Sequence, residues 1–249
     1  MSVSASRIVW VTGATSGIGR ACVAKLVARG HRVVALGRRL ERLKRLLEGL
    51  PEGALHVAAC DVQDIDQVQQ VYQDLPPAFT PVDTLINNAG LMLGTDNFDT
   101  LAESAMRTMV MTNCMGVLHN TSVLLPSLKA SARGHIVNVT SIGAHHPYVS
   151  GHVYAATKAF VAHFGASLRP ELASQGVRVT NVAPGRVETE FQSVRTGVSG
   201  PATAPAGNAV PTLGADDVAE AICWALEQPT HANVNAIELV PAGQAMSFR

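Results

Sequence analysis

The chain has 249 residues, of which 47% are hydrophobic and 15% charged, with 19 acidic side chains balanced by 19 Lys plus Arg. That composition describes a filled globular core and excludes a disordered chain, while zero net charge offers nothing to attract nucleic acid or an anionic membrane. Apolar runs are broken by Gly, Pro or charge well short of the ~18 residues a membrane-crossing helix needs.

The first seven residues lack a signal-peptide pattern and lead straight into a strand, so the expected location is the cytoplasm. Cys22, Cys60, Cys114 and Cys223 are far apart and have neither CxxC nor Cys/His ligand spacing. They read as buried free thiols rather than as a disulfide framework.

Ile8–Val11 is a strand-length apolar run, followed by Thr12-Gly13-Ala14-Thr15-Ser16-Gly17-Ile18-Gly19 and a helical pattern through Arg29. Strand, glycine turn and helix are the context a phosphate site requires. The glycines permit a tight turn and close approach of backbone to a pyrophosphate, and the helix amino terminus offers unpaired N–H groups to the anion. Gly13, Thr15, Ser16, Gly17, Ile18 and Gly19 are therefore expected at a dinucleotide.

His31–Leu36 reads as the second strand, ending at Gly37-Arg38-Arg39. An acid here would bond the ribose 2′-hydroxyl of NAD. Arg38 and Arg39 suit a 2′-phosphate instead, through charge-assisted, forked hydrogen bonds, so NADP(H) is expected over NAD(H). A basic helix, Arg39–Leu50, follows. Leu55–Cys60 is the third strand, ending in Asp61-Val62, and Ile65–Leu75 has helical spacing. Asp61 either accepts from an adenine amino group, with Val62 packed on the ring, or caps the next helix. Val82–Ile86 is the fourth strand and leads to Asn87-Asn88-Ala89-Gly90, at the carboxyl end where an open sheet places its ligand crevice. Asn88, Ala89 and Gly90 are candidates for ribose contact; the asparagines alternatively satisfy neighbouring backbone groups.

A long helix is expected from about 105 to 132, with Asn113 inside it. His135–Val139 is a fifth strand and Thr140-Ser141 ends it. His145 and His146 are adjacent on a loop, where side chains diverge, and no third ligand is spaced nearby, so no metal is expected. His152 is expected to pack against a loop.

Tyr154 and Lys158 are four apart in a pattern that is helical through Leu172, so they share one face. A phenol titrates near ~10, and a fixed neighbouring cation favours the phenolate, which makes the pair a usable acid/base. Ser141 can bond the same substrate oxygen. Gly176–Val182 is the sixth strand, followed by Pro184-Gly185-Arg186-Val187-Glu188-Thr189. A Gly/Ala/Pro/Thr-rich stretch from 190 to 214 reads as a lid; Arg195 within it and Arg186 just before it are either cations for a substrate carboxylate or solvated loop arginines. Asp216–Glu227 is a helix and 236–240 the last strand. Strand and helix alternate throughout, so a single α/β domain is expected over residues 1–249, with a parallel sheet and helices on both faces.

The set Thr12-Gly13-(three)-Gly17-Ile18-Gly19, Asn87-Asn88-Ala89-Gly90, Asn113, Ser141, Tyr154-(three)-Lys158 and Pro184-Gly185-(three)-Thr189 resembles the short-chain dehydrogenase/reductase family over essentially the whole chain. The resemblance implies a doubly wound Rossmann domain with seven parallel strands in the order 3-2-1-4-5-6-7. It implies Tyr154 as general acid/base, Lys158 lowering the pKa of Tyr154 and holding the nicotinamide ribose, and Ser141 polarising a carbonyl. Asn113 would hold a water of a proton relay, and Pro184, Gly185, Val187 and Thr189 would cover the nicotinamide. Members commonly form dimers or tetramers on the two long helices; Phe160, Phe164 and Leu168 recur every four residues, which suits such an interface and core packing equally. Details around Gly37–Leu43, Val153–Val161 and Thr189–Arg195 are similar to a branch acting on serine and other 3-hydroxy acids with NADP. The expected activity interconverts a small alcohol and a ketone or aldehyde. A non-catalytic NADP(H) sensor on this fold is the rival reading, and a missing Tyr or Lys would favour it. Both are present.

Overall fold

The computed structural model describes residues 6–191, 195 and 212–244. Along the chain run β1 (Ile8–Val11), α1 (Gly17–Ala28), β2 (Arg32–Gly37), α2 (Leu40–Lys44), β3 (Leu55–Ala59), α3 (Ile65–Gln73), β4 (Thr84–Asn87) and α4 (Glu103–Val110). They are followed by α5 (Gly116–Ala130), β5 (His135–Val139), α6 (His152–Ala173), β6 (Arg178–Pro184), β7 (Val187–Glu188), β8 (Leu213–Gly214), α7 (Ala215–Glu227) and β9 (Ala236–Leu239). The main sheet is parallel throughout, in the order β3-β2-β1-β4-β5-β6-β9. This is the expected doubly wound order. Its seventh strand is β9 because a small parallel ribbon, β7 with β8, intervenes and pairs Val187 with Leu213.

The central strands are buried on both faces, which accounts for their unbroken apolar runs. Alternate residues divide between two cores. Val9, Val11, Val33 and Ala35 meet α1 and α7, while Trp10, Val34 and Leu36 meet residues of α3, α5 and α6. The indole of Trp10 is satisfied by Asn120 Oδ1 at 2.9 Å. All four cysteines are free and buried, as expected.

Three expected elements are corrected. The helix projected over Arg39–Leu50 stops at Lys44 and continues only as a 3-10 turn to Leu47. Gly49 adopts φ 77° and Pro51 disfavours a helical residue before it. The sixth strand begins at Arg178 rather than Gly176, because Gly176, at φ 70°, still belongs to the turn that ends α6. The single long helix near 105–132 is interrupted by a π-turn over Met111–Met115 that carries Asn113. Most of the projected lid, residues 192–194 and 196–211, lies outside the described residues.

α6 approaches the sheet closely at Gly165, against a ladder of amides. Asn87 Nδ2 donates to Asn138 Oδ1 at 3.0 Å, Asn138 Nδ2 donates to Asn181 Oδ1 at 3.1 Å, and Asn181 Nδ2 donates to Ala162 O at 2.8 Å. A β-carbon on Gly165 would sit 2.7 Å from Asn138 Nδ2 and closer still to Asn181 Oδ1. Those amides are held by their bonds and cannot give way cheaply. Gly165→Ala is therefore expected to cost about 1–3 kcal/mol net, even though alanine gains ~1 kcal/mol in a helix interior. Thermal unfolding checks this; a melting temperature equal to the parent's would refute the close-approach argument.

Candidate active site

The cavity is about 480 Å³ and runs along the carboxyl ends of the strands, where parallel α/β sheets bind ligands. Its floor is the turn from β1 to α1. Gly13 and Gly17 adopt φ 67° and 52°, open to glycine without strain. A β-carbon on Gly13 would meet Ala89 Cα at 2.8 Å, and one on Gly19 would meet Asn88 Nδ2 at 2.5 Å. The turn is thus stripped of side-chain volume where a diphosphate needs backbone. α1 starts at Ser16 with no side-chain cap, leaving its first N–H groups directed at the cavity end.

Asn88 clamps that turn. Its Nδ2 donates to Thr12 O and Gly13 O at 2.9 and 3.1 Å, while Thr12 Oγ1 accepts from the N–H groups of Asn88 and Ala89 at 3.0 Å each. The two asparagines therefore divide. Asn88 lines the cavity and fastens its floor, while Asn87 belongs to the amide ladder within the core.

At the outer end Arg38 and Arg39 line the wall, and Arg39 Nη2 donates to Thr15 Oγ1 at 3.0 Å. Glu190 lies 3.8 Å from Arg39 and 2.6 Å from Arg42. Burial, then the Arg42 charge, lower the Arg39 pKa, with Glu190 opposing. That crowding of guanidinium groups suits a dianion. Asp61 and Val62 also line the cavity. The capping alternative for Asp61 is corrected: Asp64 caps α3, accepting from Asp66 N and Gln67 N, whereas Asp61 Oδ1 takes Gln63 N at 3.1 Å.

Ser141, Tyr154 and Lys158 meet at the inner end. Ser141 Oγ accepts from Gly143 N at 3.1 Å and stands near enough to the Tyr154 phenol to oppose the rise in its pKa. Lys158 Nζ donates to Val139 O at 2.8 Å and stands 5.9 Å from the centre of the Tyr154 ring. Phe191 packs edge-on against that ring, 5.4 Å between centroids. Electrostatically the pair departs from expectation. Burial pushes the Tyr154 phenol up, reinforced by Tyr148 and opposed by Ser141 and Arg195, so the neighbouring amine does not set it. Burial likewise brings Lys158 down to about 8. Desolvation wins over attraction because both groups lie in the same dry interior.

Of the residues singled out from the sequence, Gly13, Thr15, Ser16, Gly17, Ile18, Arg38, Arg39, Asp61, Val62, Asn88, Ala89, Gly90, Ser141, Tyr154, Lys158, Pro184, Gly185, Val187 and Thr189 all line this one cavity. Gly19 lies beneath its floor. Asn113 is fully buried behind the wall, its amide spent on Leu91 and Thr157. His152 packs as expected, its ring beside Phe98 and its Nε2 at 3.2 Å from Asp96 O. His146 lies 4.0 Å from Glu238, and no cluster of metal ligands exists among the described residues. Arg186 and Arg195 also line the cavity. Arg195 O accepts from Gly94 N at 3.0 Å, while its Nε is buried without a partner among the described residues.

Gln244 was not foreseen. Its Oε1 accepts from Arg186 N at 2.9 Å, and it stands where a β-carbon on Gly185 would be, so the segment after β9 braces the turn that closes the cavity. No local sequence pattern marks it; only the pairing of β9 with β6 brings it there.

The chain belongs to the short chain dehydrogenase family, whose pattern matches residues 7–197. It is 43% identical over 242 residues to a serine 3-dehydrogenase of Agrobacterium fabrum, covering 97% of this chain and 96% of that one. It is 44% identical over 241 residues to a sulfoacetaldehyde reductase of Chromohalobacter salexigens, covering 96% and 95%. Its fold superimposes on the closed form of a serine dehydrogenase complexed with NADP+ with TM-score 0.88 and 36% identity, over 95% of this chain and 96% of that one.

Because burial holds Lys158 near 8 against 10.5 for a free lysine, the unfolded chain binds a proton between those values that the folded chain lacks. This group's penalty is full below the lower value and is relieved as pH rises to the upper one. Urea unfolding across that interval is expected to show the parent gaining stability relative to Lys158→Met with rising pH. A constant difference would contradict the buried-amine assignment.

Proposed function

We propose that this chain is an NADP(H)-dependent oxidoreductase that interconverts an alcohol and a ketone or aldehyde. The observation that carries this is one continuous cavity with a glycine-floored, arginine-rimmed phosphate end and, lining it together at the other, Ser141, Tyr154 and Lys158. The floor has room for a dinucleotide because side chains are missing where it would lie. Gly13 to Ile18 would hold the diphosphate, Arg38 and Arg39 the 2′-phosphate, Asp61 and Val62 the adenine, Asn88 to Gly90 a ribose, and Pro184, Gly185, Val187 and Thr189 the nicotinamide. Once bound, the nicotinamide gives or takes the hydride.

The remaining chemistry falls to the chain. Pushed up by burial, Tyr154 keeps its proton at neutral pH, the form that donates to a carbonyl oxygen during reduction; oxidation requires the phenolate, which takes the hydroxyl proton only after the phenol has given up its own. Ser141 bonds the same oxygen and offsets its developing charge. Lys158, fixed by Val139 O, faces the nicotinamide ribose and presents a cation near the phenol below pH about 8. Asn113 supports this end from behind.

Substrates bearing an acid group fit best. Arg186 and Arg195 line the cavity, Arg195 near enough to Tyr154 to act on its phenol, and the relatives above are named for serine and sulfoacetaldehyde, both acids. The segment from 186 to 214 acts as a lid of the single domain. The buried free thiols suit a reducing cytoplasm, and no described helix is long and apolar enough to cross a membrane. A homo-oligomer, dimer or tetramer, forms across α4, α5 and α6, where Phe160 stacks on Phe164 with centroids 6.2 Å apart and Phe98 and Val110 stand exposed.

A panel of hydroxy acids, simple alcohols, ketones and aldehydes with NADP(H) and NAD(H) tests the reading. Tyr154→Phe is expected to lower kcat by at least about 100-fold while leaving NADPH binding near normal; full turnover in that variant would refute the assignment. Arg39→Ala is expected to lose about 1.5–3 kcal/mol of preference for NADPH over NADH, the value of a charged hydrogen bond. Unchanged discrimination would remove the 2′-phosphate role.

A further inference from the structure

Between the two members of the Tyr154–Lys158 pair, α6 presents one buried hydroxyl. Thr157 Oγ1 donates to the main-chain O of Tyr154 at 2.7 Å and accepts from Asn113 Nδ2 at 2.9 Å. Asn113 stands in the widened turn Met111–Met115. The rest of its amide is spent on Leu91, with Oδ1 accepting from Leu91 N and Nδ2 donating to Leu91 O, both at 2.8 Å. One run of hydrogen bonds therefore passes from the segment after β4, through the π-turn, into the backbone of Tyr154.

The first turn of α6 is otherwise held at its start by His152, whose Nδ1 accepts from Val153 N at 3.0 Å and whose Nε2 lies 3.2 Å from Asp96 O. Its cap, Gly151, has no side chain to bond the leading N–H groups, and Ser150 before it adopts φ 63°, a costly region for a residue other than glycine. Tyr154 presents its hydroxyl beside Ser141, which lies on a different element. A small rotation of that turn moves the phenol relative to Ser141, and acid/base chemistry is more sensitive to such displacement than binding is.

We propose that Thr157 is a positioning residue for Tyr154, its hydroxyl fixing the first turn of α6 against Asn113 so that the phenol meets Ser141. This rests on reading Tyr154 as the acid/base. The hydroxyl is needed for both of its roles, as donor to the Tyr154 carbonyl and acceptor for the Asn113 amide. Valine keeps the branched shape but strands a buried N–H. Serine keeps the hydroxyl.

The test compares Thr157→Val, Thr157→Ala, Thr157→Ser and Tyr154→Phe with the parent, across pH, using NADPH with sulfoacetaldehyde and NADP+ with serine and 3-hydroxybutyrate. Thr157→Val and Thr157→Ala are expected to lower kcat about 10- to 100-fold, to leave KM for NADPH within about twofold, and to shift the pH profile of kcat. Thr157→Ser is expected to recover to within about threefold of the parent. Thr157→Ala, which places a good helix former at the site, carries the comparison should the valine chain not fold. Parent-like kcat in both hydroxyl-free variants overturns the proposal. So does a serine variant no better than valine, or a fall in kcat with an unshifted profile. An active Tyr154→Phe overturns the reading of the site itself, whereas an inactive Tyr154→Phe beside a parent-like Thr157→Val overturns this inference alone.

Discussion

The site depends on desolvation at one end of α6. Tyr154 and Lys158 lie in an interior dry enough that burial governs both, raising the phenol and lowering the amine. Such an interior is tolerable for the ammonium because it has a fixed partner in Val139 O. The Asn87–Asn138–Asn181 ladder extends that logic through the sheet in part, with Asn87 Oδ1 buried without a hydrogen-bond partner among the described residues. It carries buried amides across three strands, and α6 approaches them closely at Gly165.

The two ends of the cavity work by opposite physics. The phosphate end is built from absence of side chains and from exposed charge, with Arg39 about half exposed and already engaged with Thr15 and Glu190. The reacting end is built from exclusion of water. A molecule spanning both is anchored where electrostatics are screened and reacts where they are not, which is the arrangement expected when binding energy far from the chemistry supports a precise pose.

Much of this was legible in the sequence because its signals are local. Glycines after a short apolar strand, Arg38-Arg39 after the second, and Tyr154 four before Lys158 each carry their meaning within a few residues; alternation of strand and helix gave the parallel sheet, and the family resemblance its order. What escaped was set by tertiary contacts. The π-turn at Met111–Met115 has no strong sequence mark and arises where Val62 presses on Gly116 and Asn113 reaches Leu91. Gln244 enters the site through a strand pairing that no local pattern announces. The direction of the Tyr154 shift turned on burial, which helical spacing does not reveal. The choice between Asp61 and Asp64 as the cap of α3 was a matter of three residues, below the reach of pattern alone.

The four thiols offer a built-in set of clocks. Cys22 stands in α1, Cys60 at the end of β3, Cys114 in the π-turn and Cys223 in α7, all shielded, and burial raises every one, with Cys60, Cys114 and Cys223 held at about 11. Alkylating reagents attack the thiolate, so each sulfur stays silent until its own neighbourhood opens. Timed labelling read by mass spectrometry thus ranks how often separate parts of the molecule breathe, with Cys114 reporting from directly beside Asn113.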